Sequence, residues 1–336
     1  CAPIRVWPAR LKAAAPSRAP RGEGVVVARS LPRQGYSRAM RILVTGGTNG
    51  MGKGVGLAAQ DGNEVVVLCR WRERGESLAA ELNALPSSST VSVVACDLTR
   101  LADVGAALSE LRTRHTALDG VFVNAGLGYA AERVVTEDGL DSRFQVNYLA
   151  HFMLTLGLLE LLERSERGAR VVFNITRTGR LRWDDLQMED KWGYEPAIGQ
   201  AVAAKRLFYL QLHRLHANLA ATPVSFYGFQ IPKTVWSNQI TLIPGPMRMM
   251  ANLMRLLGRF ISIEECGAIM APLFVEDGVE SMARSGQLMT RKGDGFRELA
   301  EEPVILDRAA QERLWQLSLE LCADEETRSI SAGLGI

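Results

Sequence analysis

Thr45-Gly46-Gly47-Thr48-Asn49-Gly50-Met51-Gly52 is the stretch on which the reading of this chain turns. It follows the apolar run Arg41–Thr45 (RILVT) and leads into a helical pattern over residues 51–60. Three glycines alone are a weak sign, but between a strand and a helix they have a mechanism. Gly46 permits a tight turn, Gly50 lets main chain approach a diphosphate, and Gly52 lets the helix lie close to the sheet. The helix N-terminus then faces phosphate charge. Gly46, Thr48, Asn49, Gly50, Met51 and Gly52 are therefore expected to cradle a dinucleotide.

The alternation begun at Arg41 continues outward. Apolar runs at residues 63–69 (NEVVVLC), 91–95 (VSVVA), 118–123 (LDGVFV), 170–175 (RVVFNI) and 239–243 (QITLI) read as further strands. Helical patterns lie between them, at residues 74–85, Leu101–Arg114, 139–164 and 200–220. Continuous apolar strands separated by helices imply a parallel sheet covered on both faces. Right-handed crossovers make it an α/β, Rossmann-type doubly wound sheet. Residues 222–237 (TPVSFYGFQIPKTVWS) fit neither pattern and read as an inserted loop or short hairpin, packed on the surface or acting as a lid.

Composition narrows the function classes. The formal net charge of +2 over 336 residues makes no electrostatic case for nucleic acid or an acidic membrane. Cys1, Cys69, Cys96, Cys266 and Cys322 are scattered with no CxxC pair, which argues against a disulfide framework or zinc site and for a reducing, cytoplasmic location. No stretch is apolar for long enough to span a bilayer. Residues 1–39 stand apart, with eight Lys and Arg against the single acid Glu23 and no hydrophobic periodicity. They read as translated upstream sequence ahead of Met40, a transit-like organellar peptide or a disordered basic arm; the folded domain is expected over residues 40–336.

Beyond the glycine turn, four more motifs follow in order: Cys96-Asp97-Leu98, Asn124-Ala125-Gly126, the run from Phe144 to Phe152 (FQVNYLAHF), and Pro244-Gly245. Together with TGxxxGxG they resemble the short-chain dehydrogenase/reductase family over residues 41–325. Leu314-Trp315-Gln316-Leu317-Ser318 is similar to the C-terminal helix of its retinol dehydrogenase and protochlorophyllide reductase branch. The resemblance implies an NAD(P)(H) site in which Asp97 and Leu98 take the adenine. It lines that site with Asn124, Ala125 and Gly126, and puts Pro244-Gly245 beside the nicotinamide. It also implies dimer contacts through helices at residues 148–162 and 200–220, although burial within one chain would give the same apolar character. At the end of the second strand stands Arg70, followed by Arg72 and Arg74, with no carboxylate at the position that would receive a ribose 2′-hydroxyl. A guanidinium suits a 2′-phosphate, so NADP(H) is favoured over NAD(H).

The family's proton-transfer pair is Tyr and, four residues later, Lys, assisted by a Ser on the preceding strand end and an Asn. Lys205 takes the Lys position and also a cofactor-ribose contact, and Asn147 takes the Asn position, but Ala201 stands where the phenol belongs. The strand end reads Asn174-Ile175-Thr176-Arg177-Thr178-Gly179, with Arg177 at the Ser by spacing, Thr176 beside it, and Thr178 there if one residue is skipped. Tyr194, Tyr209 and Arg177 are candidate substitutes for the missing groups. Three functions fit: a reductase acting on a small carbonyl, alcohol or activated C=C substrate, a non-catalytic NADP(H)-binding regulator, or a non-redox enzyme on the same fold. Substrate choice is expected in the loops after Thr178 and Pro244 and in the Met-rich residues 247–260, as a pocket wall, a lid or a packed helix.

Overall fold

Alternate residues of each short strand feed two separate cores. In β1 (Arg41–Thr45) Leu43 enters one core, while Ile42 and Val44 enter the other. In β2 (Glu64–Cys69) Val66 and Leu68 oppose Val65 and Val67 in the same way. A strand buried on both faces has no polar side, which is why its sequence is continuously apolar. The computed structural model describes residues 39–336 except 60–61, 85–88, 176–178, 218–223, 238–239, 242, 276–283 and 294, so the basic extension read at residues 1–39 lies outside it except for Ala39.

After β1, α1 (Gly50–Ala59), β2 and α2 (Arg72–Asn83) come β3 (Thr90–Ala95), α3 (Leu101–Arg114) and β4 (Gly120–Val123). The long central helical stretch is broken into α4 (Ser142–Phe144), a π turn over Gln145–Leu149, α5 (Ala150–Gly157) and α6 (Leu159–Glu163). It is followed by β5 (Ala169–Asn174), α7 (Tyr194–Ala217) and β6 (Val224–Phe229). The excursion that leaves β6 holds β7 (Thr234–Val235), α8 (Gly245–Leu256) and β8 (Phe260–Ile261), and returns through α9 (Ile263–Met270) and α10 (Pro272–Val275). A hairpin, β9 (Leu288–Lys292) and β10 (Gly295–Leu299), precedes α11 (Pro303–Leu306), α12 (Arg308–Cys322) and α13 (Glu325–Gly333).

The strands align as β10-β9-β6-β5-β4-β1-β2-β3, parallel throughout except for the antiparallel β9/β10 edge. This is the doubly wound α/β sheet expected from the alternation. The order reverses between β1 and β4, so a crevice opens at their carboxyl ends. Helices α3, α5, α7 and α12 cover one face, and α1, α2, α9 and α10 the other.

One expectation is corrected. The sixth strand is Val224–Phe229, inside the stretch read as irregular, and residues 240–241 form a short helical turn rather than a strand. Gly228 and the flanking Pro223 and Pro232 hide the strand from propensity arguments. The glycine is needed because a Cβ there would lie 2.9 Å from Leu288 Cδ1 and 3.1 Å from the Tyr209 ring. The two central helices are covered by other parts of the same chain. Ala197–Leu212 of α7 are buried without a break, and α12 and α13 of the same chain pack against α7 and α5. Their apolar character is thus used within the chain.

The C-terminal helices are pinned by buried hydrogen bonds. Ser318 donates to Leu314 O at 2.7 Å and in turn meets the Tyr148 hydroxyl at 2.6 Å. Tyr148→Phe removes the second bond while keeping the ring. We expect a loss of about 1 kcal/mol, seen as a lower urea midpoint with an unchanged m-value. An unchanged midpoint would show that this bond contributes nothing.

Candidate active site at the carboxyl edge of the sheet

Thr45 ends β1 with its side chain fully buried. Its hydroxyl accepts from the backbone N–H of Asn124 (2.8 Å) and Ala125 (2.9 Å), and lies 3.2 Å from Phe122 O and 3.1 Å from His151 Nε2. One small side chain therefore ties the end of β1 to the turn after β4 and to α5. The polar ladder continues sideways. Asn124 Nδ2 donates to Thr45 O (3.0 Å), Asn174 Nδ2 donates to Asn124 Oδ1 (3.1 Å), and Lys205 Nζ donates to Asn174 O (3.4 Å). Neighbouring strand ends β1, β4 and β5 are thereby linked to α7.

The turn after β1 is shaped for an anion. Gly46 has φ +69° and donates its N–H to Leu68 O at 2.8 Å. A Cβ on Gly52 would fall 2.4 Å from Gly46 O and 2.9 Å from Asn124 Nδ2, so only glycine allows α1 to start this close. Asn49 Oδ1 accepts the N–H of Gly50, while Thr48 and Met51 are half-buried beside them. Across the turn stands Ser237, whose Cβ is 3.4 Å from where a Cβ on Gly50 would be. Sequence reasoning missed Ser237. A single serine carries no signal, and the strand that leads to it was misplaced.

The other expected cofactor residues separate into two groups. Asp97, at the end of β3, accepts from Thr99 N (3.0 Å) and Thr99 Oγ1 (2.8 Å), and Leu98 beside it is buried. Gly126 faces Asn147, whose Oδ1 would be 2.9 Å from a Cβ there. Arg70 directly follows β2, exposed and stacked on Trp71 at 4.8 Å, with no carboxylate partner. Pro244 and Gly245 do not join this group. Because β6 ends at Phe229, the proline that follows it is Pro232, and Pro244 instead starts the exposed helix α8. The Met-rich segment forms α8, which has no buried residue and so is not a helix packed into the core.

Lys205 is buried, and desolvation lowers its pKa to about 8. Its single hydrogen bond, to Asn174 O, leaves two donor positions free. His151 is buried and held neutral, by desolvation first and by the nearby Lys205 charge second. Asn147 lies in the π turn, a geometry frequent at functional sites. Its carboxamide is used in both directions by Leu127, accepting N–H at 2.6 Å and donating to O at 3.3 Å, so it holds the loop after β4 in place. Ala201, one turn before Lys205, is fully buried. Thr176, Arg177 and Thr178 lie outside the described residues. The chain on either side is fixed, by Ile175 N donating to Phe229 O and by Gly179 pressed onto Gly199.

The two tyrosines are also resolved. Tyr209 donates to Glu301 Oε1 at 2.5 Å, stacks on Phe173 at 5.7 Å, and has its pKa raised well above the ordinary value by burial. It is a structural residue. Tyr194 begins α7, with its ring 5.2 Å from Tyr129. At seven residues before Ala201 it lies on the same helix face, roughly 10 Å along the axis. Among the described residues no group of His, Cys, Asp or Glu could hold a metal ion.

Residues 40–186 match the short chain dehydrogenase family. Dehydrogenase/reductase SDR family member 13 of Bos taurus is 28% identical over 292 residues, 84% of this chain and 73% of the relative. Retinol dehydrogenase 14 of Homo sapiens is 28% identical over 316 residues, 84% of this chain and 86% of the relative. The solved RhlG/NADP active-site complex of Pseudomonas aeruginosa shares the fold, with a TM-score of 0.59 at 21% identity, over 77% of this chain and 96% of that one.

Proposed function

Because this chain belongs to the short-chain dehydrogenase/reductase family, on its retinol dehydrogenase-like branch, we propose that it is an NADP(H)-dependent oxidoreductase acting on an organic carbonyl or alcohol, with Lys205 as its proton donor. The observation that carries this reading is the ladder from Thr45 through Asn124 and Asn174 to Lys205, which links a buried ammonium across the strand ends to the glycine turn. The residues fit the dinucleotide. The amides of the Gly46–Gly52 turn and the N-terminus of α1 would take the diphosphate. Asp97 and Leu98 would bound the adenine, Asn124, Ala125 and Gly126 the crevice, and Lys205 the nicotinamide ribose. Ser237 replaces Pro244 and Gly245 opposite the turn.

Bound there, the cofactor supplies the hydride in reduction and accepts it in oxidation. The chain's own task is the proton. With Ala201 in place of a phenol, the Lys205 ammonium is the buried acid on that face of α7. In reduction it would give a proton to the substrate oxygen and be reprotonated from solvent. A pKa near 8 lets it act both as acid and as base near neutral pH. Arg177 and Thr176, at the position of the family serine, are proposed to polarise the substrate oxygen. The catalytic domain is assigned to residues 40–336. Free, buried Cys69, Cys96, Cys266 and Cys322 support a reducing compartment, and no helix among the described residues is long and apolar enough to cross a membrane.

Arg70 supports the choice of NADP(H), since it is exposed just after β2 and has no carboxylate partner. Nicotinamide absorbance in the presence of a panel of aldehydes, ketones and enones should show turnover with NADPH in preference to NADH. Arg70→Glu should weaken NADPH use about tenfold and reverse that preference. Equal use of both nucleotides by the parent chain would remove the cofactor assignment. Ala201 favours one other reading, a regulator that binds NADP(H) without turnover; tight NADPH binding with every substrate left unreduced would establish it instead.

A further inference from the structure

We propose that α8 is an interfacial helix that seats this protein on an anionic lipid surface. At about 100° per residue, Met249, Leu253, Leu256, Leu257 and Met250 fall on one half of the helix, while Arg255 and Arg248 lie on the other and Arg259 follows the helix end. In a helix that serves the core the apolar half would face the protein. Here it faces away: Leu256 is 85% exposed, Met249 72% and Leu257 65%.

The excursion is held in that orientation at its base. Thr234–Val235 pairs with Phe260–Ile261, and Trp236 N–H donates to Ile261 O at 2.9 Å. The Trp236 ring meets Phe260 edge-on at 5.2 Å and carries the Arg255 guanidinium 4.5 Å above it. Lys233 Nζ donates to Gly258 O at 3.2 Å. The cationic flank is thus fastened to the base and the apolar half is turned outward.

Charge decides the occupant. From residue 196 to residue 263 the chain contains no Asp or Glu. Lys233, Arg248, Arg255 and Arg259 are all exposed, and none has a carboxylate partner. A second copy, carrying the same cations and no acid over residues 196–263, offers them no counter-charge. An anionic bilayer answers both features. Its acyl boundary takes the Met and Leu side chains, and its anionic headgroups attract the arginines of the polar half. This role does not depend on the assignment made to the dinucleotide crevice.

Flotation of the full chain with phosphatidylcholine vesicles, with and without phosphatidylserine, tests this. Binding is expected to the phosphatidylserine vesicles and to weaken with added salt. Arg248→Gln with Arg259→Gln should reduce the partition coefficient on the order of tenfold or more. The triple variant Met249→Ser, Leu253→Ser, Leu256→Ser should abolish binding while leaving the circular-dichroism melt unchanged, because these side chains touch no core. Failure of the parent to float, or binding that both variants retain, overturns the proposal. So does concentration-dependent dimerisation abolished by the triple variant, or protection of residues 247–257 from hydrogen exchange by NADPH and an aldehyde without lipid. Those two results assign the face to a second copy and to closure over the crevice respectively.

Discussion

Replacing Lys205 by Met lowers kcat for NADPH-dependent reduction by about 10²–10⁴ and leaves the chain folded. The magnitude is that of a positioned general acid. It should not be cushioned by the tyrosines, since Tyr209 is committed to Glu301 and Tyr194 lies two helical turns from Ala201. The fold should tolerate the change because Met nearly matches Lys in length and removes a buried charge. The pH dependence separates a catalytic from a structural role. Reduction by the parent chain should fall as pH rises through about 8, where Lys205 loses its proton. Stability should move oppositely. The folded pKa of about 8 lies below the ordinary 10.5, so between these values the unfolded chain binds more protons. Burying the charged lysine therefore costs stability at neutral pH, and that cost is relieved between about 8 and 10.5. Lys205→Met should be at least as stable as the parent at pH 7 and lack this rise. A variant that loses activity and stability together would place Lys205 in the scaffold alone.

Gly52→Ala carries the second large effect, on cofactor affinity. The added methyl would lie 2.4 Å from Gly46 O, which is main chain and cannot swing away. Gly46 is itself held by its bond to Leu68 O, so the turn must open and its amides must leave the diphosphate. Two charge-assisted hydrogen bonds lost in this way raise the NADPH Kd by about a hundredfold or more. Gly56→Ala in the same helix is the matched control. Its Cβ would meet only Val65 Cγ1, at an ordinary 3.8 Å, so affinity should be unchanged. Calorimetric titration of both variants with NADPH measures the difference. Equal affinities would mean that the diphosphate does not lie on this turn.

These two residues also mark what was legible before the structure. The glycine turn could be read because strand, turn and helix are contiguous, and each glycine has a separate steric reason. Lys205 could be placed by its position on the helix after β5. Other features depend on distant residues. Gly228 makes Val224–Phe229 look like a loop, but it is required by Leu288 and Tyr209, which come from elsewhere in the chain. Ser237 reaches the diphosphate turn only because β6 ends where it does. The β9–β10 hairpin is rich in charged residues, since its edge strand faces solvent, and so gives no clean apolar signal. The orientation of α8 was hidden for a related reason: an amphipathic pattern shows that a face is apolar, not which way it points. The commitments of Tyr209 to Glu301 and of Asn147 to Leu127 likewise join distant segments, and they decided which candidate groups were available for chemistry.

The most direct test follows the hydride itself. The full chain is mixed with excess NADPH deuterated at the transferring position of nicotinamide C4, together with an apolar aldehyde, and the products are analysed by mass spectrometry over a range of pH. One deuterium should appear on the carbinol carbon, formed at a rate that falls above about pH 8. Saturable NADPH binding with the aldehyde returned unreduced and unlabelled at every pH would contradict the assignment of this chain as a reductase.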